Sequence, residues 1–359
     1  MAANTNLHKA KNAKNDEFYT QLTDVSKELM HYKHHFKDKV VFCNCDDPTW
    51  SAFWKYFHLN FSALGLKKLI STHYDKTEPT YKMEYTGGDD NDIEVGVKTP
   101  LEGNGDFRNQ ECLDLLDEAD IVVTNPPFSL FREYVACLME HKKKFVIIGN
   151  PNAVTYKEFF PLLKTNQIWV GAKPWSAEMY FGVPKEQEEY LVTHKKEGSA
   201  YVIKDGQILG RVATIWFTNL DIAKRHEKLI FWKNYSPEEY PTYDNYDAIN
   251  VDKVDQIPCD YDGVMGVPIT YLDKYNPEQF EILGITLGNT VDYPMSILYE
   301  NAMQHNKDGT TKGGSKVNTR ATLKQTNIPV DTVYYTADNA DGYLIAIYPR
   351  ILIRKKVGG

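Results

Sequence analysis

Short apolar runs alternate with helix-like segments through the first half of the chain. Apolar residues recur at helical spacing in segments 22–32, 50–64, 112–116 and 130–138. Strand candidates without apolar–polar alternation lie between and after these segments, at residues 40–42, 68–72, 121–123 and 145–148. Strands that are apolar on both faces are typical of parallel sheets covered by helices on both sides. The alternation therefore predicts an α/β fold built on a parallel sheet.

The pattern changes beyond about residue 168. Short strand candidates then follow one another between Gly, Lys and Pro residues, at 168–170, 178–183, 189–192, 200–203 and 210–217. A stretch rich in Tyr, Asp and Pro marks a domain boundary near residues 220–236, and we divide the chain into regions 1–220 and 221–359. Residues 306–319 contain a single apolar residue, Val317, and predict a long, mobile loop.

The composition of the 359 residues is that of an ordinary globular protein. No apolar run approaches the ~20 residues needed to span a bilayer, and the polar start of the sequence has no signal-peptide core. Five cysteines without scaffold spacing suggest a reducing compartment. These features predict a soluble, cytoplasmic protein with no membrane partner. The formal net charge of −8, taken alone, argues against a nucleic-acid partner.

The net charge is distributed unevenly along the chain. Residues 238–300 carry 13 acidic and two basic side chains, a balance of −11, which leaves +3 for the rest of the chain. A ligand responds to one face of a protein and not to its total charge. Basic residues that follow the acidic stretch are candidates for binding DNA phosphates: Lys307, Lys312, Lys316, Arg320 and Lys324. The alternative is a solvated, charged loop that binds nothing.

The segment Asn125-Pro126-Pro127-Phe128 follows a strand candidate and precedes a helical segment. In open α/β sheets, ligands bind beyond the carboxyl ends of the strands, where this loop would lie. The prolines fix the backbone and remove two N–H donors, so the loop offers rigid carbonyl acceptors beside the Asn125 amide oxygen. An amine placed there would donate both hydrogens while its ring stacks on Phe128. Its nitrogen lone pair would then be free to attack.

A bare Asn-Pro sequence is more often a turn, and a phenylalanine after it is more often a core residue. The strand before Asn125 and the helix after Phe128 favour a catalytic loop instead. Another Asn-Pro, Asn276-Pro277, lacks that context because it follows no buried strand. It predicts a turn that opens a helix, with Pro277 near the first helical position.

A metal site is the rival interpretation of the cysteines that follow the first strand. Cys43 and Cys45 are separated by one residue, and the histidines that could join them, His31, His34 and His35, fall on a separate helical segment. A one-residue gap is poor spacing for zinc knuckles. We therefore expect buried thiols and no metal.

Several segments together resemble the EcoRI-type adenine-specific DNA methyltransferases, of the gamma class of adenine-N6 enzymes. They extend from about residue 14 to 356 and include KNDEFYTQ, VVFCNCDDP, IVVTNPPFSLFREY, GVMGVPITYLDKYNPEQFEILGI and YPRILIR. The resemblance implies a Rossmann-like, S-adenosylmethionine-dependent methyltransferase sheet in residues 1–220 and a target-recognition, DNA-binding region in residues 221–359. It also implies double-stranded DNA as partner in a bacterial or phage-encoded, nucleoid-associated enzyme. A cognate restriction endonuclease would share its site without binding it.

The resemblance implies S-adenosyl-L-methionine as cofactor. It places the FYT element, Phe18-Tyr19-Thr20, over the cofactor. It also implies that the loop after the first strand, residues 43–48, contacts the cofactor, although this loop lacks the usual glycine. An acid after the second strand commonly binds ribose hydroxyls, and the Asp-Phe pair before the catalytic strand suits the cofactor adenine. The candidates are Phe18, Tyr19, Thr20, Asn44, Asp46, Asp47, Pro48, Asp75, Asp106 and Phe107. The alternatives are core packing for Phe18, a helix N-cap for Thr20, a solvated loop acid for Asp75 and a simple turn for Asp106.

An enzyme that acts on a base amine in duplex DNA must flip that base out of the helix. The flipped base then needs a second aromatic wall opposite Phe128. Trp175, Tyr180 and Phe181 are candidates for this wall, and strand packing is the alternative for each.

The sequence thus predicts a site-specific DNA adenine-N6 methyltransferase. One alternative is an amino-methyltransferase acting on RNA bases or protein glutamine side chains, because similar loops serve those acceptors. A second is a non-catalytic DNA-binding protein that retains the fold, since the glycine-rich cofactor loop is missing. Cofactor binding and the methylated product distinguish these alternatives.

Overall fold

The computed structural model describes residues 19–75, 78–288 and 290–356. The chain forms two compact units. Unit 1 comprises the chain up to Ala153 and Ile168–Ile222, and unit 2 comprises Val154–Gln167 and Ala223–Gly359. The functional roles assigned to the two predicted regions stay predictions.

A large mixed sheet forms the centre of unit 1. Its strands, in spatial order, are β5 (Val97–Pro100), β4 (Tyr81–Tyr85), β3 (Lys68–Thr72), β2 (Val40–Cys43), β6 (Ile121–Thr124), β7 (Lys144–Gly149), β12 (Ile215–Thr218) and β8 (Trp169–Val170). The four strands β3, β2, β6 and β7 pair in parallel, and the outer strands are antiparallel. The predicted α/β class and its four parallel strands are therefore confirmed.

The predicted helices of unit 1 are present as well. They are α1 (Leu22–Leu29), α2 (Ala52–Leu59), α3 (Phe61–Leu64), α4 (Gln110–Glu118) and α5 (Phe131–Glu140), with 3-10 turns at Met30–His35 and Phe128–Leu130. Gly65 ends α3 in the left-handed conformation that glycine adopts without strain. Large aromatic residues fill the core between these elements, among them Phe36, Trp54, Phe57 and Trp216, all essentially inaccessible to solvent.

A second, smaller sheet of unit 1 contains β1 (Tyr19–Thr20), β9 (Tyr180–Gly182), β11 (Gln207–Arg211) and β10 (Tyr201–Lys204), in that order and all antiparallel. The strand predicted at 189–192 is wrong, because these residues lie within helix α7 (Lys185–His194). A short apolar run is compatible with either structure. Here Leu191 is buried while Tyr190 and Val192 are exposed, so only one residue of the run faces the interior.

Unit 2 is built mainly from two antiparallel sheets, the first with one parallel pair. The first contains β13 (Ile249–Asn250), β14 (Met265–Pro268), β21 (Arg350–Lys355) and β15 (Phe280–Ile285). The second contains β17 (Thr311–Gly313), β16 (Met303–His305), β19 (Tyr334–Thr336), β20 (Tyr343–Ala346) and β18 (Thr322–Gln325). Its helices are α6 (Phe160–Lys164) and the 3-10 turns Ala223–His226, Val254–Gln256, Ile269–Lys274 and Ser315–Asn318.

Residues 306–319 do not form the long, mobile loop that the sequence predicts. β16 and β17 pair in antiparallel register, and the turn between them is closed by the Asp308 carboxylate, which accepts from the Thr310 N–H at 3.0 Å. The following 3-10 turn carries Val317, which is fully buried beside Tyr299 and Tyr335. The single apolar residue of the segment therefore anchors it.

The turn at Asn276-Pro277 leads into strand β15 and not into the predicted helix. The Asn276 side chain accepts from the Glu278 N–H at 2.8 Å and donates to the Glu227 carbonyl at 3.1 Å. An asparagine that bonds its own backbone two residues on closes a turn, and this is compatible with a following strand.

Candidate active site

Two loops of unit 1 begin at neighbouring strand ends. From β2 the chain goes to β3 on one side, whereas β6 pairs with the other side of β2. The order of the strands therefore reverses between β2 and β6, which is where open α/β sheets bind ligands. Residues 44–48 leave the carboxyl end of β2, and Asn125 to Phe128 leave the carboxyl end of β6.

The Asn125–Phe128 segment joins β6 to helix α5 as predicted, through the 3-10 turn Phe128–Leu130. Asn125, Pro127 and Phe128 are half-buried, and Pro126 is buried. The Pro127 carbonyl accepts from the Leu130 N–H at 3.0 Å. Within the described residues the Pro126 carbonyl has no such donor, so it is an acceptor of this loop that a ligand can use.

The Asp46 carboxylate is buried between the two loops, with 4% of the residue exposed. It accepts from the Thr124 hydroxyl, from the Asn125 N–H and, at 3.2 Å, from the Ser51 hydroxyl. Burial disfavours the charged form and raises the pKa of Asp46 to about 7. The three hydrogen bonds lower this pKa, whereas the nearby Asp47 charge raises it slightly, and the effect of burial is the largest. The carboxylate therefore faces protein donors and not a solvent-filled cleft.

The Asp47 carboxylate is likewise occupied by protein groups. One oxygen accepts from the Thr49 hydroxyl and the Tyr81 hydroxyl, both at 2.8 Å, and the other lies 2.9 Å from His73 Nδ1. The His73 ring packs 5.2 Å from the Tyr81 ring. His73 directly follows β3 and Tyr81 begins β4, and neither residue was among the predicted site residues. Strand pairing brings them together, and no local motif marks them.

Cys45 lies in the loop that lacks the usual glycine, and its φ is +61°. Its Sγ accepts from the Phe107 N–H and contacts the Asn44 side-chain oxygen at 3.6 Å. The missing glycine thus has a structural counterpart, because the backbone still takes the left-handed conformation. A residue with a Cβ pays roughly 1–2 kcal/mol for that conformation.

We expect the Cys45→Gly variant to be more stable than Cys45→Ala by about 1 kcal/mol. Both variants lose the Sγ contacts, so their difference isolates the cost of a Cβ at a φ of +61°. At an ordinary helix or strand position glycine is the less stable of the two by roughly 0.5–1 kcal/mol. Urea unfolding of both variants measures the difference, and an equal or more stable alanine variant would contradict the left-handed backbone at this position.

Asp75 and Asp106 lie on segments that are packed against each other. The Asp75 N–H donates to the Asn104 carbonyl at 3.2 Å. Gly105 has a φ of +74°, and a Cβ there would lie 2.2 Å from the His73 carbonyl oxygen, so only glycine permits this close approach. The structure therefore brings together two candidates that are about 30 residues apart in the sequence.

Asp106 forms a bidentate ion pair with Arg108, with distances of 2.9 and 2.7 Å, and the Arg108 guanidinium lowers the pKa of Asp106. A second carboxylate, Glu133, lies 3.0 Å from Arg108. Phe107 is only 2% exposed, and its ring packs edge to face on Tyr134 at 4.9 Å. Asp106 thus retains a half-buried position, whereas Phe107 is mainly a packing residue in this structure.

Of the predicted FYT element, Phe18 lies outside the described residues, and Tyr19 and Thr20 form strand β1. Tyr19 pairs with Gly182 and Thr20 with Phe181 of β9. The Thr20 hydroxyl oxygen is buried and has no hydrogen-bond partner within the described part of the chain. Buried polar atoms are normally satisfied, so this hydroxyl is a candidate contact for a bound group.

The three candidates for the second aromatic wall have different surroundings. Trp175 is half-buried. Tyr180 is also half-buried; its hydroxyl bonds Glu178, and Lys204 lies 4.0 Å from the centre of its ring. Phe181 is fully buried in the main core of unit 1, so its ring has no face open to a base. We therefore retain Trp175 and Tyr180 and interpret Phe181 as a core residue.

The predicted DNA-binding cations also separate into two groups. Lys307, Lys312 and Lys316 are exposed, and no ion pair involves them or Arg320 within the described ranges. Burial lowers the pKa of Lys316, and so do the positive charges of Arg320 and Lys312, which places these three side chains near one another. Lys324 differs, because its ammonium lies 2.9 Å from Asp341 and 3.3 Å from Asp244. Its charge is therefore already compensated.

The described residues contain neither a metal-binding cluster nor a helix suited to span a membrane. No group of three or more His, Cys, Asp or Glu side chains there is arranged to hold a metal ion. No described helix combines the length and the apolar character that a membrane span requires.

Known proteins resemble this chain over most of its length. Type II methyltransferase M.EcoRI of Escherichia coli is 46% identical over 301 residues, which are 80% of this chain and 91% of that protein. Type II methyltransferase M.MpnI of Mycoplasma pneumoniae is 42% identical over 280 residues, 77% of this chain and 84% of that protein. Type II methyltransferase M.MgeORF184P of Mycoplasma genitalium is 40% identical over 281 residues, 77% of this chain and 85% of that protein.

No solved structure shows a significant match to the chain. The family model described as adenine-specific methyltransferase EcoRI matches residues 6–356. This match covers nearly the whole sequence and confirms the resemblance that the sequence motifs indicate. The chain therefore belongs to the EcoRI family of adenine-specific methyltransferases.

Proposed function

We propose that the chain transfers a methyl group from S-adenosyl-L-methionine to the N6 amine of an adenine flipped out of duplex DNA. The observation that carries this proposal is the position of two loops, residues 44–48 and the segment from Asn125 to Phe128, at the adjacent carboxyl ends of β2 and β6. A methyl donor and an acceptor bound at neighbouring strand ends are held close together, so their reaction becomes effectively unimolecular. Such positioning can supply much of the rate enhancement.

The residues of unit 1 fit S-adenosyl-L-methionine. The buried Thr20 hydroxyl has no partner within the described residues, and an acid at the position of Asp75 suits ribose hydroxyls. The Asp106 carboxylate is oriented by Arg108 and keeps further lone pairs that can accept from an adenine amine. Asn44 and Pro48 line the loop in which Cys45 takes the place of glycine. When bound, this cofactor supplies an electrophilic methyl group. We therefore propose a cofactor site that includes Phe18, Tyr19, Thr20, Asn44, Pro48, Asp75 and Asp106.

The catalytic roles follow from the acceptors of the 125–128 loop. The Asn125 side-chain oxygen and the Pro126 carbonyl accept the two N6 hydrogens, and the Phe128 ring stacks on the base. Both hydrogens are then engaged, so the nitrogen lone pair points away from the acceptors and is available for transfer. The methylated amine loses its extra proton to solvent, and no strong general base is required. Trp175 or Tyr180 would form the opposite wall.

Unit 2 would hold the DNA phosphates through its uncompensated cations, Lys307, Lys312, Lys316 and Arg320. Phosphate contacts fix the position of the protein on the duplex, and base contacts provide sequence specificity. The relatives' designation as Type II methyltransferases supports a restriction–modification setting. In that setting a cognate endonuclease shares the recognition site without binding this chain.

The proposal is tested by the acceptor that becomes labelled. The chain is incubated with S-adenosyl-L-methionine labelled in the methyl group, and with duplex DNA, RNA and protein in separate reactions. We expect label in duplex DNA alone, recovered as N6-methyladenine after digestion to nucleosides. Label in RNA or in protein glutamine would identify another acceptor class. Binding of DNA without any transfer would identify a non-catalytic protein.

A further inference from the structure

We infer that Asp46 is a positioning residue that fastens the catalytic loop to the cofactor loop and does not itself contact the methyl donor. The inference rests on the proposed function, because it assigns Asn125 as the residue that is positioned. It also changes the role expected for Asp46, since the sequence analysis counted this residue among the cofactor-binding candidates.

The bonds of the Asp46 carboxylate join segments that are distant in the sequence. The Thr124 hydroxyl and the Asn125 N–H both donate to it, from the last residue of β6 and the first residue of the catalytic loop. The Ser51 hydroxyl donates to it at 3.2 Å and accepts from the Phe53 and Trp54 N–H groups at the start of helix α2. Protein donors thus occupy a carboxylate that is almost inaccessible to solvent.

The main chain around Asp46 is held in the same way. The Ser71 hydroxyl, on β3, donates to the Asp46 carbonyl, and the Thr72 hydroxyl donates to the Asn44 side-chain oxygen at 3.1 Å. Thr124 also contacts the Asn44 carbonyl. The ends of β2, β3 and β6 and the start of α2 are therefore joined at one point. Because the Asn125 N–H donates to the Asp46 carboxylate, the backbone that carries the Asn125 side chain is held in place.

The charge on Asp46 is costly to maintain. Burial raises its pKa to about 7, and the Asp47 charge acts in the same direction. Among the described residues, Cys43, Cys45 and Tyr134 are titratable groups close enough to respond to the Asp46 charge. Burial raises the pKa of each of those three, so they are neutral at ordinary pH. An asparagine would fill the same volume without a charge. Retaining a buried carboxylate is consistent with a function that needs two strong acceptors.

The direct test is Asp46→Asn, measured with saturating cofactor and DNA in a single turnover. We expect the rate of methyl transfer to fall about 30-fold, while the dissociation constants for S-adenosyl-L-methionine and for duplex DNA change less than about threefold, as for interactions that act only in the transition state. The wild-type rate should rise with pH through about 7, because the ionised carboxylate is the stronger acceptor, and the variant should lose this rise.

A matched pair at Thr124 tests the same connection from the other side. Thr124→Val removes the donating hydroxyl at nearly constant shape, and we expect about a tenfold loss of the single-turnover rate with unchanged cofactor binding. Thr124→Ser restores the hydroxyl and should restore the rate. If Asp46→Asn does not fold, the Thr124 variants still test whether the Asp46–Thr124 hydrogen bond supports methyl transfer.

Two results would overturn the inference. One is a rise of more than tenfold in the dissociation constant for S-adenosyl-L-methionine in Asp46→Asn with the rate at saturation preserved, because Asp46 would then be a donor contact. The other is a rate and a pH profile equal to those of the wild type in both Asp46→Asn and Thr124→Val. Failure of the proposed function is distinguishable, since the wild-type chain itself would then transfer no methyl group to adenine in DNA.

Discussion

Replacing Asn125 with alanine is expected to reduce the single-turnover rate of methyl transfer to duplex DNA by about 10³-fold. The change removes a fixed acceptor from the amine while leaving the Pro126 carbonyl in place, and loss of one preorganised polar partner typically costs about 10²–10³ in rate. The Asn125 side chain begins directly after β6, so a truncated side chain leaves the strand and its pairing with β2 intact. Cofactor affinity should remain within about threefold of the wild type.

Asn125→Asp is the matched control for this experiment. It keeps an acceptor oxygen at the same position, so its rate should lie between those of the wild type and Asn125→Ala. Circular dichroism and thermal unfolding of the three proteins establish that they share a fold. A rate for Asn125→Ala within tenfold of the wild type would show that the amine is held by other groups.

The sequence predicted the parts of the fold that depend on local pattern. The β2, β6 and β7 strands are recognisable because each contains a run of at least three apolar residues that is buried on both faces. In β3 the apolar run is only Leu69-Ile70, although Ser71 and Thr72 are buried as well. The segment from Asn125 to Phe128 was recognisable as a loop between a strand and a helix because its prolines and both flanking elements are adjacent in the sequence. Such features need no knowledge of distant residues.

The parts that the sequence could not give depend on partners that are far apart along the chain. Asp46 and Thr124 are 78 residues apart, and Asp47 and Tyr81 are 34 apart, yet their side chains share hydrogen bonds. Only the pairing of strands brings them together. The same limitation explains Lys324, whose acidic partners Asp244 and Asp341 come from two other segments of unit 2.

Removing the three clustered cations of unit 2 is expected to weaken DNA binding about 10²-fold or more at 0.1 M salt. The plot of log affinity against log salt concentration should also become less steep, by about 2.7 in slope. The variant is Lys312→Gln, Lys316→Gln and Arg320→Gln combined. Each cation that contacts a phosphate releases about 0.9 counterion, so three contacts account for both numbers. Burial lowers the pKa of Lys316, and the positive charges of Arg320 and Lys312 lower it further. These side chains therefore repel one another, and their removal should not destabilise unit 2 through lost ion pairs.

Lys324→Gln is the control, because it removes one positive charge at a position already compensated by Asp341 and Asp244. Affinity and salt slope should then stay close to the wild-type values, although the net charge changes in the same direction. Fluorescence anisotropy of labelled duplex DNA at several salt concentrations measures both quantities. If the triple variant keeps the wild-type slope, the phosphate-binding surface lies elsewhere. If Lys324→Gln reduces the slope by as much per removed charge as the triple variant does, the total charge of the protein governs DNA binding and the local cluster does not.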